Sequence, residues 1–447
     1  MKLKNKTLLF KMSLALAPVA LLMAAPAAYS ADSIADAIAG GKTSANIQYR
    51  YENVETPSNG VGQAKASTLR LRLGYETAEY QGIGAMVQAT HVAANRQYNN
   101  QTTNPNQSLW LNRVPDPALT TITQSYLSYS AVPDSKIKVG RQVIRYDNDR
   151  WVGNVDWRQN WQSYDASSIE NKSFADTTIK AAYVTNVNRP TGDTGTNHAN
   201  TVLSGNTHMK STLLNVNNNS LGFANLVAYS YRLDYSPSSV GNAVTNFQNS
   251  NAASYNYGST NTTGVKLQGD TALAGTKFSW KGEFANQKAF KNNTANFSAR
   301  YSNVEATADM SLAKSTLGYE VLGSSNGNSV QTPLATLFAM NGWANMFLTT
   351  PANGLQDMYA KARRNDFGIN YGADYHLFQA DNGGQKYGRE LDLIAEKQID
   401  KTYAVGTRAA RFKTDSQSLS ASGTAVTAGG MTLTDTNKLW VYGSMAF

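Results

Sequence analysis

From Thr43 to the C-terminus the chain alternates apolar and polar residues one by one, and no other feature constrains its fold as tightly. Ile47, Tyr49 and Tyr51 interleave with Gln48, Arg50 and Glu52; Leu69, Leu71, Leu73 and Tyr75 interleave with Arg70, Arg72 and Glu76. This period of two predicts strands near 43–53, 66–79, 82–93, 121–131, 135–145, 163–172, 175–186, 207–217 and 221–235. It predicts others near 255–270, 273–287, 295–307, 310–324, 355–363, 366–379, 386–398, 402–414 and 434–447, eighteen in all.

A soluble sandwich would also alternate, so the links between strands decide. Short links such as Tyr80-Gln81, Val132-Pro133-Asp134, Asn218-Asn219-Ser220 and Ile399-Asp400-Lys401 alternate with long ones that include 94–120, 146–162, 187–206, 236–254, 325–354 and 415–433. Short turns on one side and long loops on the other, with an even strand number, define an all-β transmembrane antiparallel β-barrel of the outer-membrane type. In the last strand Leu439, Val441, Met445 and Phe447 share one face and Trp440 and Tyr442 the other. A strand ending on Phe447 is similar to the signal that such barrels present to the barrel-assembly machinery. The 24 tyrosines, many near strand ends, suit interfacial girdles against outer-membrane lipid and lipopolysaccharide.

The N-terminus fits export. Lys2, Lys4, Lys6 and Lys11 precede the apolar run Met12 to Ala25, and small residues follow up to Ala31, so 1–30 reads as a signal peptide. A short periplasmic segment, 31–42, then leads into the barrel, 43–447; Ile34, Ala37 and Ile38 give it helical spacing before Gly40-Gly41. No later segment reaches the roughly 18 to 20 apolar residues of a membrane helix. With no cysteine, disulfides and thiolate chemistry are excluded. The formal charge of +9 includes the four leader lysines, leaving +5, which is not the profile of a nucleic-acid partner.

Assigning the apolar member of each alternating pair to lipid leaves Arg50, Arg70, Arg72, Lys180, Arg232, Lys281, Arg300, Lys314 and Arg408 facing the lumen. Glu76, Asp234, Glu283, Glu320, Asp374, Glu390, Asp392 and Glu396 stand against them. The early strands are basic and the strands after about 366 acidic, so a field is expected across the channel, with Arg70, Arg72, Arg300, Arg408, Glu390 and Asp392 among the pore-lining residues.

A barrel of eighteen strands leaves an aqueous channel unless loops fold into it. Two loops are suited to do so. GRQVIRYDNDRWVGNVDWRQNWQSYDA, Gly140 to Ala166, packs Arg141, Arg145, Arg150 and Arg158 against Asp147, Asp149, Asp156 and Asp165, with Trp151, Trp157 and Trp161 between them. Guanidinium groups, carboxylates and rings in such density form either a self-satisfied cluster or a surface for planar anions and sugars. Counting places the stretch between the fifth and sixth strands, where it is expected to fold inward as a constriction. Part of the arginines would serve solute and the loop's aspartates would neutralise the rest. The other loop, TPLATLFAMNGWANMFLTTPANGLQD from Thr332 to Asp357, is too apolar for a tip in water. Trp151, Trp157, Asn341 and Trp343 are expected in the resulting plug, with a short helix bounded by Pro333 and Asn341-Gly342.

At these loops, and at GYEVLGS (Gly318 to Ser324) and YGRELD (Tyr387 to Asp392), the chain resembles the alginate export family of outer-membrane porins. The resemblance runs from about Lys42 to the C-terminus. It implies an eighteen-stranded barrel and a lumen for anionic uronate polymers. The mixed signs of this lumen suit small organic acids and short saccharides at least as well.

An enzyme is disfavoured. Four histidines exist, His91, His198, His208 and His376, with no nucleophile elbow and no metal-spaced pair; His376 has Asp374 beside it but no evident nucleophile. No Asp-rich loop at calcium-ligand spacing appears, so no metal and no cofactor is expected. The expected function is a solute-selective diffusion channel for small anionic or polar solutes, oligosaccharides or uronates, and the alternative is a structural barrel or adhesin whose loops bind an external ligand.

Overall fold

The computed structural model describes residues 31–57, 62–95, 97–99, 111–192, 206–235, 258–273, 275–291, 293–415, 427–428 and 431–447. The expected leader, 1–30, and the loop 236–254 lie outside them.

Alternation becomes a single closed sheet. Its strands are β1 (Lys42–Glu55), β2 (Ala64–Glu76), β3 (Ile83–Ala94), β4 (Leu119–Tyr129), β5 (Ser135–Gln142) and β6 (Ser163–Phe174). They continue as β7 (Thr177–Asn188), β8 (Asn206–Asn218), β9 (Asn225–Leu233), β10 (Thr260–Leu273), β11 (Thr276–Ala289) and β12 (Ser298–Asp309). The last are β13 (Lys314–Leu322), β14 (Leu355–Asp366), β15 (Ile369–Gln379), β16 (Lys386–Gln398), β17 (Tyr403–Thr414) and β18 (Thr436–Ala446). Each pairs antiparallel with its sequence neighbours, and β1 pairs with β18 through Asn46↔Ala446 to Glu55↔Asn437, which closes an 18-stranded barrel. All eighteen expected strands are present.

The outer face is the apolar member of each pair. Leu69, Leu71, Leu73, Val87, Leu127, Val139, Val265, Val304, Leu391, Leu393, Leu439 and Val441 are all exposed, as a lipid-facing band requires. Rings such as Phe174, Phe223, Phe367, Tyr371 and Tyr403 stand exposed by the short turns. One such turn, Phe367-Gly368, has φ of 54° and 72°, the double positive that a tight two-residue hairpin needs. The expected helix at the N-terminus is α1 (Ile34–Ala39), capped by Ser33 and tied to the turn after β2 by the Ala78 amide, which donates to the Ala37 carbonyl.

The lipid-face rule fails where the inner wall is itself aromatic. In β9 Tyr229, Tyr231 and Leu233 are buried inward, so Arg232 turns out; in β12 Tyr301 is buried and Arg300 lies on the exposed phase it shares with Val304. Arg300 is therefore not a pore-lining residue. The expected pattern breaks here because the barrel interior is packed with loop side chains, which reward rings over charge.

Candidate functional site

Two external loops fill the lumen: the third, 143–162 between β5 and β6, and the seventh, 323–354 between β13 and β14. Tyr146, Trp151 and Val152 of the third and Val330, Leu334, Trp343 and Phe347 of the seventh join the wall rings Tyr229, Tyr231, Tyr301, Phe378, Tyr387, Phe412 and Trp440 in one buried cluster. The seventh loop makes turns rather than the expected helix, and Phe338 and Met346 pack against this cluster from it.

The loops are stitched to each other along their length. Gly153 donates its amide to the Leu334 carbonyl at 2.8 Å, and Thr336 donates its own to the Asp149 carbonyl at 3.0 Å. The approach is close enough that a Cβ on Gly153 would stand 2.2 Å from Thr336 Oγ1, so only glycine fits. Arg150 reaches Asn341 Oδ1 at 3.0 Å, and Asn341 in turn donates to Glu320 at 2.7 Å and Asp357 at 3.1 Å.

The charges of the third loop divide in a way its own sequence does not show. Arg150 is 1% exposed and pairs with Glu320 of β13 at 3.1 Å. Arg158 pairs with Glu52 of β1 at 2.9 Å and with Asp116 of the second loop at 3.4 Å. Burial opposes the Arg158 charge, but those two acids more than offset it and hold its pKa above the ordinary arginine value. Asp147 takes Lys266 of β10 at 3.2 Å and Asn215 at 2.9 Å. Within the loop the remaining pairing joins Arg145 to Asp149 and, at 3.1 Å, to Asp156. The aspartates of the loop thus neutralise one of its arginines; the acids of the wall neutralise the others. Glu52, Asp116, Lys266 and Asp357 were not singled out by sequence. Asp116, held between Pro115 and Pro117, offered the best signal for it.

The tryptophans act as anchors. Trp151 donates its indole N–H to Glu283 at 2.8 Å and meets Tyr301 edge-on at 5.0 Å between centroids. Trp157 stacks on Phe338 of the seventh loop, and the guanidinium groups of Arg50 and Arg408 lie 4.4 and 4.5 Å from its ring centroid. Arg408 also sits 5.0 Å from the Trp343 ring and pairs with Glu396 at 2.5 Å. Cation–ring contacts of this kind contribute about 0.5–2 kcal/mol each when water is excluded.

Arg70 and Arg72 do line β2, but both are 5% exposed, because the third loop covers them. They donate to the Gln159 carbonyl at 3.5 and 3.4 Å, and Arg72 lies over the Trp161 ring at 3.4 Å. Glu390 and Asp392 are buried beneath the seventh loop and accept from the Ala344 and Trp343 amides at 2.6 and 3.2 Å. Arg141 departs from expectation. It shares the outward phase of Val139 and binds Asp165 at 2.8 Å on the outer face, so it lines no pore; the phase of β5 carries it away from the lumen. Arg145 and Asp156 stay open, 49% and 41% exposed. The Asp156 charge reaches Arg70 and Arg72 on the wall, so these groups form one electrostatic neighbourhood. Asp149 beside them is different: burial holds its pKa above 3.8, and the Arg145 bond offsets only part of that penalty.

A closed barrel of eighteen strands with a lipid-facing apolar band and a lumen narrowed by inward loops is an outer-membrane porin barrel. The sequence model described as "Alginate export" matches residues 42–308, more than half the chain, and the protein belongs to that family. No curated protein matches the sequence. Among solved structures it is similar to OccAB4 of Acinetobacter baumannii, with a TM-score of 0.65 at 11% identity, covering 91% of this chain and 98% of that one. It is similar also to OccK9 (OpdG) of Pseudomonas aeruginosa, with a TM-score of 0.66 at 11% identity over 92% and 99% of the two chains. OpdK of Pseudomonas aeruginosa, solved with vanillate, gives a TM-score of 0.65 at 9% identity over 92% and 99%. At such identities the likeness is one of fold.

Proposed function

We propose that the protein is a passive, solute-selective diffusion channel for small anionic or polar solutes, with organic acids, short oligosaccharides and uronates as the candidate classes. The observation that carries this reading is the Arg145–Asp156 pair. It remains half exposed on a loop whose two other arginines are buried, and the Asp156 charge acts on the basic β2 wall where Arg72 lies on Trp161. A half-exposed guanidinium in a basic surrounding is suited to a planar carboxylate or a sugar hydroxyl. OpdK, a barrel of the same fold, was solved with vanillate, a small aromatic acid, which supports the anion class. The fixed partners of Arg150, Arg158 and Asp147 make them supports of the constriction.

In a planar bilayer the purified protein is expected to show ohmic conductance steps that fall when a uronate or an aromatic carboxylate is added, and fall less with a neutral oligosaccharide of similar size. A bilayer that stays sealed would sink the channel reading. Equal block by charged and neutral solutes would remove the anion preference. We propose further that lipopolysaccharide contacts the external rim and that Phe447, whose amide donates to the Ala45 carbonyl at 2.8 Å, presents the assembly signal.

A further inference from the structure

We infer that the inner wall under the seventh loop carries a binding site for a divalent transition-series cation, built from Asp374, His376 and Asp392 with Glu390 beside them. Asp374 and His376 are two apart on β15, Glu390 and Asp392 two apart on β16, so each pair points to one face. The register sets Asp374 opposite Asp392 and His376 opposite Glu390, which brings the four side chains into a square on the lumen side. All four are buried, and a donor atom from each of Asp374, His376 and Asp392 lies within 4.8 Å of the other two.

One atom of this cluster points to a ligand: His376 Nε2 is buried without a hydrogen-bond partner. The other nitrogen of His376, Nδ1, faces both carboxylate oxygens of Asp357 at 2.9 and 3.0 Å, and a nitrogen so placed carries the proton. Nε2 then presents a lone pair toward Asp392, 4.0 Å away, too far for a hydrogen bond. A lone pair facing carboxylates is repulsive unless a cation stands between them. A tetrahedral metal ion bonded to nitrogen and oxygen at about 2.0–2.2 Å would draw these two atoms to about 3.4 Å, a small closure of the two strands' side chains.

Charge agrees. Asp357, Asp374, Glu390 and Asp392 are answered by Arg363, which holds Asp374, and by Lys438 on β18, whose charge reaches Glu390 and Asp392. Carboxyl groups crowded this closely are charged together more readily when a divalent ion stands among them. A donor set of one imidazole with carboxylates suits Zn²⁺ and its neighbours rather than Ca²⁺, which takes oxygen alone. Asp357 is the carboxylate that orients the ligating histidine from behind, as zinc sites commonly arrange. The consequence is mechanical: the same Glu390 and Asp392 hold the Ala344 and Trp343 amides, so the cation would fasten the seventh loop to the wall.

The test is Zn²⁺ titration, by calorimetry, of tag-free, metal-stripped full-length protein in detergent. One equivalent per chain is expected; His376→Gln and Asp392→Asn should each abolish uptake, Asp357→Asn should weaken it about 10- to 100-fold, and His91→Gln should leave it unchanged. No uptake by the parent protein, or uptake that survives both ligand substitutions, overturns the site. Should those variants fail to fold, Co²⁺ added to the parent protein decides: visible bands displaced by Zn²⁺ support the site, and their absence overturns it.

Discussion

The indole of Trp157 lies flat against the ring of Phe338, 4.0 Å between centroids and 8° from parallel. One ring belongs to the third loop and the other to the seventh, so this stack adds an apolar contact to the hydrogen bonds that stitch the two halves of the constriction together. Stacked rings contribute about 0.5–1.5 kcal/mol beyond their buried area. Replacing Trp157 by Ala also removes the platform of Arg50 and Arg408. Trp157→Ala is expected to raise single-channel conductance and current noise while the barrel remains folded by circular dichroism. Unchanged conductance would place the narrow point elsewhere.

Arg145 and Arg141 differ by four positions and face opposite sides of the wall. Arg145→Ser should move the reversal potential in a salt gradient toward cations and weaken block by carboxylates. Arg141→Ser, which breaks a bond to Asp165 on the outer face, should leave both readings where they were. Equal shifts from the two would mean that overall charge, not the constriction, governs selectivity.

Arg150 and Glu320 are 1% and 8% exposed, so removing the arginine strands a buried carboxylate. Breaking such a pair on one side costs about 3–5 kcal/mol. Arg150→Ala should therefore unseat the third and seventh loops, read as faster proteolysis and amide exchange at 143–162 and 323–354. Arg150→Ala combined with Glu320→Gln should recover part of the protection, because the stranded charge is gone.

Asp149 titrates above 3.8 because burial disfavours its charged form. A carboxyl whose folded pKa is raised favours folding when protonated. Its charge therefore costs stability above the folded pKa, and that cost disappears as pH falls through it toward 3.8. Protonation also removes the counter-charge from Arg145. Anion selectivity should accordingly rise in mild acid, and Asp149→Asn should show the same raised selectivity at neutral pH with its acid response flattened.

The fold was legible because strand phase and link length are local properties: each strand announces itself in five to ten residues. The inward seating of the seventh loop was legible for a similar reason, since Leu334, Trp343 and Phe347 cannot remain in water. What escaped depends on register between distant segments. Nothing near Arg158 in sequence names Glu52 or Asp116, and the square of Asp374, His376, Glu390 and Asp392 exists only once β15 and β16 are aligned. Arg300 and Arg232 were misplaced because the phase rule assumes a wet interior, whereas Tyr301, Tyr229 and Tyr231 face a packed one.

The seam between β1 and β18 joins the first strand of the barrel to the last. Glu52, on the β1 side of that seam, is gripped by Arg158, and Trp440, directly opposite it on β18, meets Trp157 edge-on at 5.8 Å. The constriction therefore doubles as a clasp across the join. An acid of the first strand and a ring of the last are held by one loop, so the join is secured from inside as well as by its own ladder.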